Sequence, residues 1–247
     1  MQVLRGLNHP GIPRYLHSFH TDDGFCVVQE YKYTPSLAVL RSFDPDEIKQ
    51  IAIAVLEILV YLQNRIPVIV HRDIKPENIL VDDQIRVYLI DFGFARIGDG
   101  EVAVSSVVQG TLGFMPPEQL LNRQLTEASD LYGLGATLIR LLTRTKSVDV
   151  GNLVDHNYRF QFRSLLPKLN PRWADWLEKM VQPRPKDRYA DATTALEALK
   201  PLSTYRLPEA KISLACLEFR ATKLGEELRQ TVTISNPTPT KSVLTGT

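Results

Sequence analysis

Apolar residues fall along this chain in two rhythms, and the change from one to the other divides it. Ile48, Ile51, Ala52, Val55, Leu56, Leu59 and Leu62 recur three and four apart, which places them on one face of a long α-helix packed into a core. Asp44 can cap that helix, Pro45 fits its first turn and Glu47 stands at the reciprocal capping position. The stretch "TEASDLYGLGATLIRLLTR" is apolar nearly all round, which predicts a helix buried at the centre of a body. "NPRWADWLEKMV" and "ADATTALEALKPL" predict two further amphipathic helices. Residues 12 to 32 instead predict a hairpin, "IPRYLHSFH" and "FCVVQEYKY" about a turn at "TDDG". "NILVDDQIRVYLID" gives two short strands around Asp82 and Asp83. From about Ser203 a period of two appears in places, with prolines near the end, so this segment predicts β-strands. About 40 residues are too few for a complete β-sandwich, and the expectation is a second domain of which only the start is present.

Two apolar runs, Val68 to Val70 and Val87 to Ile90, each end in polar residues that a buried strand avoids. Asp73, Lys75, Asn78 and Asp91 all stand at or just beyond those ends. A turn explains Asp73 and Asn78, a strand-end cap explains Asp91, and a solvated surface lysine explains Lys75. Taken together, the four need a common reason.

Composition narrows the field without choosing within it. The hydrophobic fraction of 44% and charged fraction of 23% are those of an ordinary folded domain. A net charge of +1, with no compact lysine or arginine block, argues against a nucleic-acid partner. Cys26 and Cys216 lie far apart, which fits a reducing compartment, and both are expected to be small buried hydrophobes. The first residues lack the apolar core of a signal peptide. The greasiest stretch, "IAIAVLEILVYL", carries Glu57 and is too short to cross a bilayer. The expectation is a cytoplasmic protein with no membrane segment. His9, His17, His20 and His156 show no metal-binding spacing and are expected to be structural.

"HRDIKPEN" (71–78), "DFG" (91–93), "GTLGFMPPE" (110–118), "SDLYGLG" (129–135) and "RPKDRYADA" (184–192) follow one another with characteristic gaps. In that order they resemble the signatures of eukaryotic-like bacterial serine/threonine protein kinases. The resemblance covers residues 1 to about 202. It implies an α+β, protein-kinase-like fold, with 1–32 a remnant of the small β lobe and hinge. It makes 33–202 the large catalytic lobe and 203–247 a linker and an incomplete β-strand domain.

The same resemblance assigns roles. Asp73 accepts or orients the proton of the substrate hydroxyl, and Lys75 faces the transferred phosphoryl group. Asn78 and Asp91 turn oxygens towards magnesium. Gln29 is the gatekeeper, the backbones of Glu30 and Lys32 meet the adenine edge, and Leu80 is the floor beneath the base. Thr111 shapes the peptide-binding loop. Glu118 pairs with Arg188 in a buried ion pair, and Asp130 tethers a hydrophobic column of Leu4, Tyr15, His71 and Phe92. Ser105 and Ser106 are candidate phosphorylation sites, with Arg72 as the phosphate's partner. ATP and Mg2+ are the implied cofactors. The implied partners are a protein substrate bearing serine or threonine and a second kinase chain as dimer partner.

One departure matters. No "GxGxxG" occurs in the chain, and "QVLRGLNHPGIP" resembles only the second half of the family's regulatory helix and the turn after it. The glycine-rich loop, the strand lysine and its glutamate partner are therefore expected to be missing. The expectation is a chain truncated at both ends, with little or no kinase activity by itself. The competing reading is a pseudokinase-like fragment that acts as a binding module. A small-molecule phosphotransferase fits less well, because such enzymes do not usually show "GTLGFMPPE".

Overall fold

In the computed structural model, the described residues are 2–22, 24–39, 41–93, 95–97 and 113–205. Beyond them, 211–212, 216, 218–220, 223–225, 227, 229 and 231–235 are described. The chain divides into two compact units, Met1–Tyr205 and Arg206–Thr247.

The first unit opens with a helical turn, α1 (Gln2–Arg5), then the hairpin of β1 (Tyr15–Thr21) and β2 (Gly24–Gln29). The pair is antiparallel, with an irregularity in register between Tyr15 and His17. Most of its side chains are exposed on both faces, among them Leu16, Phe19, Val27 and Val28. Cys26 is exposed here too, and Cys216 is exposed in the second unit, against the expectation that both were buried. A two-stranded ribbon with solvent on both faces has no inside in which to place Cys26.

Helix α2 (Pro45–Gln63) begins as its sequence dictates. The Glu47 amide donates to Asp44 Oδ1 at 2.8 Å, and the Asp44 amide donates to Glu47 Oε2 at 2.9 Å. These reciprocal bonds satisfy two amides that a helix start leaves open. The apolar stripe from Ile48 to Leu62 is buried.

Strand β3 (Ile69–Val70) leads into a 3-10 turn over Pro76–Asn78, then β4 (Ile79–Val81) and β5 (Val87–Leu89). Strand β6 (Arg96–Ile97) pairs with β3, and β4 pairs with β5, both antiparallel. Asp82 makes the turn between β4 and β5. Its Oδ1 accepts from the Gln84 and Arg86 amides, and its Oδ2 accepts from Arg86 Nε.

Among the described residues, the remaining helices of the unit are α3 (Pro117–Leu120), α4 (Glu127–Thr143), α5 (Pro171–Met180) and α6 (Ala192–Leu199), with 3-10 turns between. Helix α4 is buried from Ala128 to Leu142, as a helix apolar all round must be, and α2, α5 and α6 pack against it. The second unit shows one short antiparallel pair among its described residues, β7 (Lys211–Ile212) with β8 (Ile234–Ser235). The architecture is α+β: a mainly helical body carrying small antiparallel ribbons.

Candidate active site

The polar residues at the strand ends come together. The loop from His71 to Asn78 runs from β3 into the 3-10 turn that feeds β4, and Asp91 follows β5 across the ladder. The Ile90 amide donates to the Asn78 carbonyl at 2.9 Å, so the segment carrying Asp91 is bonded directly to the loop carrying Asn78. Asn78 Nδ2 donates to both the carbonyl and Oδ2 of Asp73, each at 2.8 Å. Lys75 Nζ lies 2.8 Å from the same Oδ2. With its amide nitrogen committed to Asp73, Asn78 keeps its oxygen for another partner. The Asp73 and Lys75 side chains retain 10% and 22% exposure, enough to meet a ligand.

Beneath this group the backbone is held in forms that side-chain-bearing residues avoid. Arg72 has φ 72° and Asp91 has φ 63°. Left-handed residues other than glycine cost on the order of 1–3 kcal/mol each and persist where the surroundings over-determine them. At Arg72 that is what the structure shows. Asp130, on α4, accepts the His71 amide at Oδ2 and the Arg72 amide at Oδ1, both at 2.7 Å. At Asp91, Oδ1 accepts the Gly93 amide at 3.2 Å.

His71 is wholly buried, with Phe92 edge-on at 4.8 Å. Its Nε2–H donates to the Ile90 carbonyl at 3.1 Å, and its Nδ1 accepts the Asp73 amide at 3.4 Å, an arrangement that requires the neutral Nε2–H tautomer. Burial lowers the imidazole from 6.5 to about 4, outweighing the nearby carboxylates that act to raise it. Burial likewise pushes the Asp130 carboxyl up, to about 6, against the pull of the two amides it accepts. Leu4 joins the same core and Tyr15 packs against it.

Glycine 133 sets how closely α4 approaches the loop. A Cβ there would stand 2.5 Å from the Ile74 carbonyl oxygen and 3.0 Å from Ile74 Cβ. Only a residue without a side chain lets helix and loop backbones meet at this separation.

A second polar cluster is closed. Arg188 and Glu118 are each 4% exposed and paired through two bonds, Nη1 to Oε1 at 2.7 Å and Nη2 to Oε2 at 2.8 Å. The other guanidinium hydrogens go to the carbonyls of Gln182, Ala128 and Pro183. Ser129 Oγ donates to Glu118 at 2.9 Å, and the Tyr132 ring lies 4.9 Å from the guanidinium carbon.

On the opposite side of β4, the segment after β2 crosses the hairpin. Ser36 bridges Leu80, and the Leu37 amide donates to the Ile79 carbonyl at 2.8 Å. The Glu30 amide donates to the Arg14 carbonyl at 2.8 Å, Glu30 and Lys32 are ion-paired at 2.8 Å, and Lys32 Nζ sits 4.7 Å from the centre of the Tyr88 ring. Leu80 is half-buried, and Gln29 is exposed. Ser105, Ser106 and Thr111 lie outside the described residues.

Residues 1–200 match the protein kinase domain family. The chain belongs to that family. It is 32% identical over 240 residues to serine/threonine-protein kinase D of Synechocystis sp., covering 92% of this chain and 46% of that protein. It is 38% identical over 133 residues to serine/threonine-protein kinase F of the same organism, covering 53% and 26%. To serine/threonine-protein kinase 36 of Pongo abelii it is 33% identical over 176 residues, covering 70% and 13%. The chain thus spans less than half the length of these curated relatives. The kinase fold accounts for the frame of the site, an ordered loop clamped by α4 and joined to the Asp91 segment. Sequence reasoning passed over Gln119, whose Nε2 donates to the Arg72 carbonyl at 3.2 Å. A lone polar residue in a one-turn helix carries no signal of that role.

Proposed function

We propose that this chain carries the catalytic region of a serine/threonine protein kinase, which moves the γ-phosphate of ATP to a protein hydroxyl. The observation that supports this most is the group of Asp73, Lys75 and Asn78, bonded to one another and joined by backbone to the Asp91 segment. In this reading Asp73 accepts or orients the hydroxyl proton, and Lys75 meets the charge that spreads over the transferred phosphoryl oxygens. A lysine two residues after the aspartate favours serine and threonine over tyrosine. Adenine meets the Glu30 carbonyl and the Lys32 amide, with Leu80 beneath it.

The residues present fit magnesium. The Asn78 oxygen and the Asp91 carboxylate are hard ligands, and Mg2+ is commonly held by one or two such groups with phosphates and water completing the shell. Bound magnesium neutralises phosphate charge, and Asn78 and Asp91 would hold it in place. The protein substrate is a serine- or threonine-bearing chain, a second kinase chain is the dimer partner, and the setting is cytoplasmic. Among the described residues, no helix is long and apolar enough to cross a membrane.

The competing reading is a kinase-like binding module. Titration of the chain with ATP, with and without Mg2+, and radiolabel transfer to a general protein substrate separate the two. The catalytic reading expects Mg2+-dependent binding and weak transfer that falls below detection in Asp73→Asn. Binding without detectable transfer would favour the binding module.

A further inference from the structure

We infer that Gln119 is a positioning residue, which fixes the peptide plane that carries Asp73 and so ties α3 to the catalytic loop. The peptide between Arg72 and Asp73 follows a residue in the left-handed region, at φ 72°, and such a conformation holds only where partners pin it. The amide on the near side of Arg72 is pinned by Asp130 at 2.7 Å. On the far side, the Asp73 amide reaches His71 Nδ1 only at 3.4 Å, a long contact. The carbonyl of that same peptide accepts from Gln119 Nε2 at 3.2 Å. Gln119 therefore holds the end of the plane that Asp130 does not reach. A rotation of this plane would swing the Cα–Cβ bond of Asp73, and with it the bonds to Lys75 and Asn78.

Gln119 is suited to hold because it is itself held. Its amide donates to the Pro116 carbonyl at 2.9 Å, and its neighbour Glu118 is fixed by two bonds to Arg188. A cavity of about 10 Å³ lies where Arg72, Asp73, Asp130 and Gln119 converge, room for one water at most. Shortening Gln119 enlarges that space, so that water can take over the Arg72 carbonyl. Replacing the amide by a carboxylate keeps the shape and sets oxygen against oxygen. These two changes therefore distinguish a donor from a packing residue: the near-isosteric Gln119→Glu should be the more damaging.

The test compares wild type, Gln119→Ala and Gln119→Glu in the full chain by hydrogen–deuterium exchange. Faster exchange is expected across residues 70–75, by about tenfold, the scale of one hydrogen bond. It should be larger in Gln119→Glu than in Gln119→Ala, with α2 and α5 unchanged. A companion assay, which rests on the catalytic reading, expects kcat to fall by a similar factor while KM for ATP holds. Gln119→Glu indistinguishable from wild type, or exchange rising equally in α2 and α5, would overturn the inference. Local exchange that responds as expected in a chain that transfers no phosphate upholds the inference and defeats only the catalytic reading. Intact transfer with unaltered exchange does the reverse.

Discussion

Two polar clusters lie on neighbouring elements of the same body, and they are built on opposite plans. Around Arg188 every guanidinium hydrogen has an acceptor, both oxygens of Glu118 are engaged, and almost nothing reaches solvent. Around Asp73 the bonding is partial: Asn78 donates but keeps its oxygen, and Asp73 and Lys75 remain open to solvent. A saturated cluster can do nothing except hold its parts together. An unsaturated one keeps bonding capacity for something that arrives, and it needs a saturated frame to stop it from collapsing on itself.

The comparison breaks most visibly at the closed cluster. Glu118→Ala leaves a buried guanidinium without its counter-charge, and a stability loss of about 3–5 kcal/mol is expected in denaturant titration. Replacing both members with apolar residues of similar size should recover most of that loss, because burying two charges is itself expensive. A double variant as unstable as Glu118→Ala would show that the pair is worth more than its desolvation.

A smaller effect is expected where frame and site meet. Gly133→Ala places a methyl group against the Ile74 carbonyl, a backbone atom that yields only if the loop moves. Overpacking of this kind costs about 1–3 kcal/mol. The loss in thermal midpoint should come with faster hydrogen exchange in residues 71–78, whereas Glu118→Ala should loosen α3 and α4 as well.

The smallest effect lies in pH. His71 sits below its ordinary value, so it stays neutral in the fold, and its contribution is present above about pH 6.5 and lost as pH falls towards 4. Asp130 sits above its ordinary value, so its contribution runs the other way: stability declines as pH rises from about 3.8 towards 6. The two slopes oppose each other across the same window. Asp130→Asn removes one, and should add roughly 0.5–1 kcal/mol of stability loss between pH 6.5 and 5.5 relative to wild type. Equal slopes in the two proteins, measured by thermal unfolding, would show that Asp130 does not titrate there.

Local physics was legible from the chain. The capping residues Asp44 and Glu47, the stripe on α2 and the all-round apolarity of α4 need only neighbours a few residues away. The catalytic loop was legible by its motif, and the Glu118–Arg188 pair, 70 residues apart, came through resemblance and not through any pattern. Left-handed backbone at Arg72 was not legible, because the bond that holds it comes from Asp130, 58 positions away. Gln119 and Gly133 were hidden for the same reason: their partners are 47 and 59 positions distant, and nothing local marks them. Cys26 failed differently, since a residue type usually buried was carried by a ribbon with no interior.

The end of the helical unit has its own consequence. Lys49 Nζ donates to the carbonyls of Lys200 and Leu202, Thr204 Oγ1 bonds to Asp46, and Asn170 takes hold of both Ser203 and Thr204. The strand of chain leaving α6 is therefore stitched down on α2 and α5 rather than hanging free. A protein shortened at Leu202 would cost Asp46 its bond to Thr204 and Asn170 its bonds to Ser203 and Thr204, whereas the same cut made after Tyr205 leaves every stitch in place.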